Sequence, residues 1–287
     1  MSRRDKNRMS TSPQTVLDLT ADLHCHTAYC NHAQGRMEEY VEAALERGLR
    51  EIGFLEHAET GIDYDHRIWL TEEMLDQYWE EGNRLRSLYR DRIVVSVGIE
   101  LGVNPSRVEA SRQLRRRHPW DRIGLSYHFY WDGASGRHLN ISSPKPGNLA
   151  LLRELDPEAL VTHYYEVLIA HLPLFLPDLI CHLDVVRRNL PPLDHRPGIQ
   201  SLIRQLLSAM RAAGTALEIN TSGYEYTGHF YPSGWIVEEA LRQGIPLVLS
   251  SDSHHPTQVG RHFDRAATEI VRILESRDST AGLGQPD

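Results

Sequence analysis

Several of the sixteen histidines in this 287-residue chain sit in short motifs at the ends of apolar, strand-like runs. The motifs are Asp22-Leu23-His24-Cys25-His26, Phe54-Leu55-Glu56-His57, Val97-Gly98-Ile99-Glu100, Ser126-Tyr127-His128, Cys181-His182-Leu183-Asp184 and Ser251-Asp252-Ser253-His254. Residues i and i+2 of a strand share a face, so His24 with His26, and Asp252 with His254, are expected to converge. Adding His32 on a following loop gives nine donors: His24, His26, His32, His57, Glu100, His128, His182, Asp252 and His254. Imidazole with carboxylate suits zinc, manganese or iron. Nine groups exceed the roughly four ligands of one zinc. Two to three divalent ions are therefore expected, with Glu100 as the bridging carboxylate. Ions a few ångströms apart deprotonate a shared water near neutral pH and neutralise charge on phosphoryl oxygens. That chemistry suits hydrolysis of a phosphate ester and requires no serine or cysteine nucleophile. A lone His-x-His is weak evidence; the weight lies on joint placement at successive strand ends. His66, His118, His138, His163, His171, His195 and His262 are read as surface or helix residues, and His255 as a loop neighbour of the site.

The elements that must position these groups alternate. Strands are expected over about 19–25, 51–56, 92–101, 122–129, 179–185, 216–220 and 246–250, nearly all followed by helical patterns. Helices are expected over 36–48, from a Thr71 cap to about 90, from Asn104-Pro105, from Asp156-Pro157 to about 172, over 197–213, from a Ser233 cap to 243, and over 264–275. Residues 130–148 read as a long polar loop over the site. Seven β-then-α units argue for a parallel sheet with helices outside. Apolar runs such as Ile93-Val94-Val95 and Leu247-Val248-Leu249 suit strands buried on both faces. A closed barrel carries its site at the strands' C-terminal ends, where the motifs fall.

Composition narrows the partners. The formal net charge is −8 and 40% of residues are hydrophobic. A basic stripe is missing, which disfavours nucleic acid, and no apolar run approaches a membrane span of roughly 18 residues. Met1 to Pro13 is polar and basic and does not read as a secretory signal; Met9 is an alternative start. The domain expected is a single barrel over 19–277, between a disordered leader (1–18) and a disordered tail (278–287). Three cysteines, an odd number in a chain of this size, read as reduced thiols in a cytoplasmic protein. Thiolate ligation by Cys25 and Cys30 is the lesser alternative, since Cys25 should face away from His24 and His26.

Together these residues resemble the PHP (polymerase and histidinol phosphatase) superfamily of metal-dependent phosphoesterases over roughly residues 20–265. The histidinol-phosphatase branch is suggested by Tyr29-Cys30-Asn31-His32-Ala33, Glu38-Glu39-Tyr40-Val41, Glu51 to His57, His182-Leu183-Asp184-Val185-Val186, Leu217 to Gly223 and Ser250 to His254. The resemblance implies a distorted, TIM-like (β/α)7 barrel with a trinuclear centre. His24, His26, Glu100 and Asp252 would hold one ion, Glu100, His128 and His182 a second, and His32, His57 and His254 a third. The segment Phe129-Tyr130-Trp131-Asp132-Gly133 departs from the pattern and is expected to touch the substrate. Length excludes a polymerase-fused form, and the acidic balance argues against a stand-alone exonuclease. Amidohydrolase barrels also begin with His-x-His, but the pair Asp252 and His254 favours the phosphoesterase.

The reaction so implied is attack on phosphorus by a hydroxide bridging two ions, held by Glu100, Asp252 and His26. The substrate implied is a small phosphorylated metabolite, L-histidinol phosphate, giving L-histidinol and phosphate in histidine biosynthesis. Arg187, Arg188 and Arg261, with Arg67 in a lid-like loop, are candidates for gripping phosphate. His229 or a metal-bound water is a candidate proton donor to the leaving group. Asp184 is a candidate partner for the substrate ammonium, or a strand-end salt bridge. The alternatives are another small phosphorylated substrate, or a metal-binding module without catalysis.

Overall fold

The computed structural model describes residues 17–281. Nine strands are β1 (Ala21–Cys25), β2 (Glu51–Ala58), β3 (Val94–Gly102), β4 (Ile123–Ser126), β5 (Phe129–Asp132), β6 (Arg137–Asn140), β7 (Leu179–Ile180), β8 (Ala216–Asn220) and β9 (Leu247–Ser250). Eight α-helices accompany them: α1 (Met37–Glu46), α2 (Glu72–Tyr89), α3 (Val108–Arg117), α4 (Pro146–Glu154), α5 (Pro157–Phe175), α6 (Pro197–Ala213), α7 (Gly234–Gln243) and α8 (Phe263–Ala281). Seven strands form one parallel sheet in the order β1-β2-β3-β4-β7-β8-β9. The sheet nearly closes: Cys25 and Ser253 form a parallel bridge, and the His26 N–H donates to Ser253 O at 2.8 Å. The result is the expected (β/α)7 barrel.

Helix starts follow their side chains. The Thr71 hydroxyl accepts from Met74 N and opens α2; Asp156 accepts from Glu158 N before Pro157 opens α5. Glycines in the left-handed region, Gly214 and Gly244, close α6 and α7. Most of the apolar core lies in one large cluster that takes in the buried faces of the helices. A smaller cluster of Leu55, Leu179, Cys181 and Ala216 fills the barrel interior. Leu55 shares a face with His57, two residues on, so this plug underlies the site. Gly98 and Gly124 make room for it; a Cβ there would come within 2.7 Å of Leu55 and 2.4 Å of Cys181.

Four expectations are corrected. The strand expected over 179–185 stops at Ile180, because His182 takes a positive φ of +26° and a short 3-10 turn covers Val185–Arg188. The strand expected over 122–129 breaks at Tyr127 and His128. The expected loop over 130–148 is largely ordered: β5 pairs antiparallel with β6, and Pro146 starts α4. The closing helix runs on to Ala281, through residues 278–281. The expected leader, except for its last two residues, and residues 282–287 of the tail lie outside the described residues. Among those described, no helix is long and apolar enough to cross a membrane.

Candidate metal centre

The C-terminal ends of β1, β2 and β3, with the segments after β4, β7 and β9, bring the nine expected donors together. Glu100, fully buried on β3, lies between them. Its Oε2 is 2.6 Å from His57 Nδ1 and 3.7 Å from the Nε2 atoms of both His24 and His26. Its Oε1 is 2.8 Å from His182 Nε2 and 3.2 Å from His128 Nε2. Asp252 Oδ1 is 3.2 Å from His26 Nε2 and 3.6 Å from His254 Nδ1. His32 reaches the rim, with Nε2 2.7 Å from His254 Nε2. Asp252 and His254 do not converge through strand alternation, because β9 ends at Ser250 and Asp252 has φ +50°.

Nitrogens face one another. His24 Nε2 and His26 Nε2 are 2.9 Å apart, and His128 Nε2 and His182 Nε2 3.4 Å. The far nitrogens of His24 and His128 are occupied by carboxylates, Glu218 at 2.6 Å and Glu59 at 2.9 Å. In the neutral rings that arrangement puts the protons outside and the lone pairs inside, toward each other. Inward lone pairs beside two buried Glu100 oxygens that lack any hydrogen-bond partner fit a cation. Among the described residues five groupings have all their donor atoms within 4.8 Å of one another: His24 with His26 and Glu100, His57 with Glu100 and His128, and His26 with His57 and His254 are drawn from the nine, while His24 with Cys181 and Glu218, and His26 with Cys30 and Glu56, include a thiol.

The electrostatics divide the cluster. Burial would lower His128, but the carboxylates of Glu100 and Glu59 outweigh it and raise it to about 10. Burial likewise opposes Glu218 at His24, and the carboxylate prevails. At His57 and His254, burial and the nearby His26 depress basicity well below the ordinary value; at His32 they lower it to about 4. Burial would raise Glu100, yet its imidazole neighbours hold it far below the usual carboxylate range.

The cysteines are thiols. All three are buried and unpaired, and burial pushes each thiol up. Asp184 lies at a 3-10 turn rather than on a strand. Its Oδ2 accepts from Arg187 and from Ser233 N, both at 2.8 Å, while Oδ1 is buried without a partner. Arg261 is held by Glu225 and by the carbonyls of Ser251 and Asp252. Arg67 donates to the Trp69 carbonyl. Arg188 lies 3.3 Å over the Tyr226 ring, and among the described residues no carboxylate holds it. His229 is exposed and lines a separate cavity with Arg187 and Phe230. His138 is buried rather than on the surface, accepting from Asp63 N. Sequence reasoning missed Glu59 and Glu218 as partners of the histidines. Glu218 carried a signal, since Leu217-Glu218-Ile219 places a carboxylate inside an apolar strand.

A family model, the PHP domain, matches residues 22–222. A probable histidinol-phosphatase of Deinococcus radiodurans is 31% identical, the match covering 87% of this chain and 92% of that protein. The histidinol-phosphatase of Bacillus subtilis is 28% identical over 85% of this chain and 96% of its own. Among solved structures, a histidinol phosphate phosphatase of Lactococcus lactis, in complex with zinc, L-histidinol and phosphate, has a TM-score of 0.72 at 21% identity. That superposition covers 91% of this chain and 94% of the other. A putative histidinol phosphatase of Listeria monocytogenes has a TM-score of 0.77 at 21% identity, over 85% of this chain and 99% of its own. The chain belongs to the PHP family, in its histidinol-phosphatase branch.

Proposed function

We propose that this chain is a metal-dependent phosphomonoesterase that hydrolyses L-histidinol phosphate to L-histidinol and phosphate, in histidine biosynthesis. The observation that carries the reading is the ring of inward imidazole nitrogens around both oxygens of Glu100. The relatives' names and the histidinol and phosphate bound in the Lactococcus lactis structure support the substrate. Two to three divalent ions, of zinc, manganese or iron, suit the nine donors, and zinc in that neighbour supports the first. Bound there, such ions supply a water deprotonated near neutral pH and neutralise charge on phosphoryl oxygens.

The chain's own residues do the rest. Glu100, Asp252 and His26 would hold the nucleophile's site, a role their mutual proximity supports. Phe129 packs edge-on to His128, Tyr64 and Trp69, forming an aromatic wall beside His128. Arg188, stacked on Tyr226, and Arg67 are the arginines left to grip phosphate among the four candidates, because Arg187 and Arg261 are already paired with Asp184 and Glu225. Buried, unpaired cysteines support a reducing, cytoplasmic compartment.

Zinc- or manganese-loaded protein assayed on histidinol phosphate, sugar phosphates, nucleotides and p-nitrophenyl phosphate tests the reading. A preference of more than tenfold in kcat/KM for histidinol phosphate is expected; tenfold corresponds to about 1.4 kcal/mol. Flat activity across the panel removes the substrate assignment, and no turnover with metal bound removes the enzyme. Glu100→Ala is expected to lose both metal and activity. Arg188→Ala is expected to raise KM about tenfold or more with metal content unchanged.

A further inference from the structure

Glu218 on β8 is fully buried and takes four donors. Its Oε1 lies 2.6 Å from His24 Nδ1 and accepts from Ser250 Oγ at 2.6 Å. Its Oε2 accepts from the His182 N–H at 2.5 Å and from Asn220 Nδ2 at 3.0 Å. Two of these donors belong to proposed ligands. His24 stands on β1 and His182 follows β7, and no strand ladder joins those two strands. The φ of +26° at His182 is disfavoured for any residue bearing a Cβ. Its N–H is spent on Glu218.

We infer that Glu218 is a positioning residue for the ion cluster, fixing the His24 proton on Nδ1 and clamping the His182 backbone so that both imidazoles turn Nε2 toward Glu100. The inference rests on the reading of the cluster as a metal centre. One carboxylate thus aligns a donor to each oxygen of the bridge, since His24 faces Oε2 and His182 faces Oε1. A ring whose outer nitrogen donates to a carboxylate presents its inner lone pair to a metal, and such partners are worth about 10- to 100-fold in affinity.

Glutamine at this position separates charge and tautomer from shape. Its amide nitrogen cannot sit at the Oε2 position, where it would meet the His182 N–H and the Asn220 amide, both donors. It must replace Oε1. There Ser250 can rotate its hydroxyl to accept, and His24 Nδ1 must accept as well. The His24 proton then moves to Nε2, aimed at the ion. A brace that acted only through packing would not discriminate in this way, because Glu and Gln have nearly the same volume.

The test uses the full chain, stripped with a chelator and titrated with zinc against a chromophoric competitor, with 15N NMR of the histidine rings as the second readout. Wild type is expected to bind zinc and, when zinc-loaded, to carry the His24 proton on Nδ1. E218Q is expected to lose about 10- to 100-fold in zinc affinity, to carry the His24 proton on Nε2, and to keep its Tm within a few degrees. E218D, which still only accepts, is expected to recover part of the affinity. Unchanged zinc affinity in E218Q overturns the proposal while leaving the metal centre standing. A zinc-loaded wild-type His24 that keeps its proton on Nε2 overturns it without recourse to any variant. A wild type that binds no zinc removes the metal reading itself.

Discussion

At the scale of single residues, the cluster is a set of opposed titrations that an ion would reconcile. His128 is raised to about 10 by Glu100 and Glu59 against its burial. Its share of the stability of metal-free protein is complete below the ordinary histidine value of about 6.5 and is lost as pH rises toward 10. His32 is lowered to about 4, and His57 and His254 are also depressed. Their neutral rings resist protons that the unfolded chain accepts, so stability falls as pH drops below about 6.5. His32 lies at the exposed rim, where solvent weakens its share. Chelator-treated protein should therefore show a Tm maximum near neutrality, and zinc should remove the alkaline decline by replacing the proton on His128. Melting curves from pH 4 to 10, with and without zinc, check this. A metal-free Tm that stays level from pH 7 to 10 contradicts it. His128→Gln should flatten the same limb without any metal.

At the scale of elements, the strand ends are shaped by residues whose importance lies in what they leave out. Gly102 ends β3, and a Cβ there would fall 1.9 Å from Glu59 Oε2. Glu59 is buried and holds His128 through Nδ1. Gly102→Ala should displace that carboxylate, costing about 1–3 kcal/mol in overpacking and loosening His128. The expected result is a lower Tm with reduced metal content. Gly147→Ala, where nothing lies within 4 Å in α4, should leave activity intact and raise stability by roughly 0.4–1 kcal/mol. Equal metal content in Gly102→Ala and wild type would separate Glu59 from the site. The sequence made the repeating strands and most helices legible, because two-sided burial writes continuous apolar runs and caps such as Thr71 and Asp156 mark starts. It did not reveal the breaks after Ser126 and Ile180. There the backbone leaves the ladder for tertiary partners, as the His182 N–H does for Glu218. The hairpin β5–β6 was hidden because its strands are four residues each and its turn is rich in small polar residues. The nine donors were readable from motifs beside the strand ends, although Asp252 and His254 meet by a turn and not by the alternation expected of them, whereas Glu59 and Glu218, which hold two of the nine, act across 69 and 194 residues of sequence.

At the scale of the whole molecule, the site depends on how the barrel closes. Proposed ligands on one side of the seam are His24 on β1 and His26 just after it; those on the other, Asp252 and His254, follow β9. Besides one backbone bridge, the seam is held by Asp22, fully buried below His24. Its carboxylate accepts from Ser251 N at 2.9 Å, Ser251 Oγ at 2.5 Å and Gly260 N at 2.7 Å. Burial raises its pKa even against those hydrogen bonds. Asp22→Ala strands two backbone N–H groups, each costing about 1–3 kcal/mol when buried and unsatisfied. A loss on the order of 3 kcal/mol should lower Tm by roughly 5 °C in a barrel of this size. Glu100→Ala removes metal without touching the seam, so the two variants should part in zinc. Saturating zinc should restore part of the Asp22→Ala Tm, because binding only to the closed barrel stabilises it by mass action. It should restore little in Glu100→Ala. If Asp22→Ala melts like wild type and fills with zinc equally well, the seam is closed by its backbone bridge and by the ligands themselves.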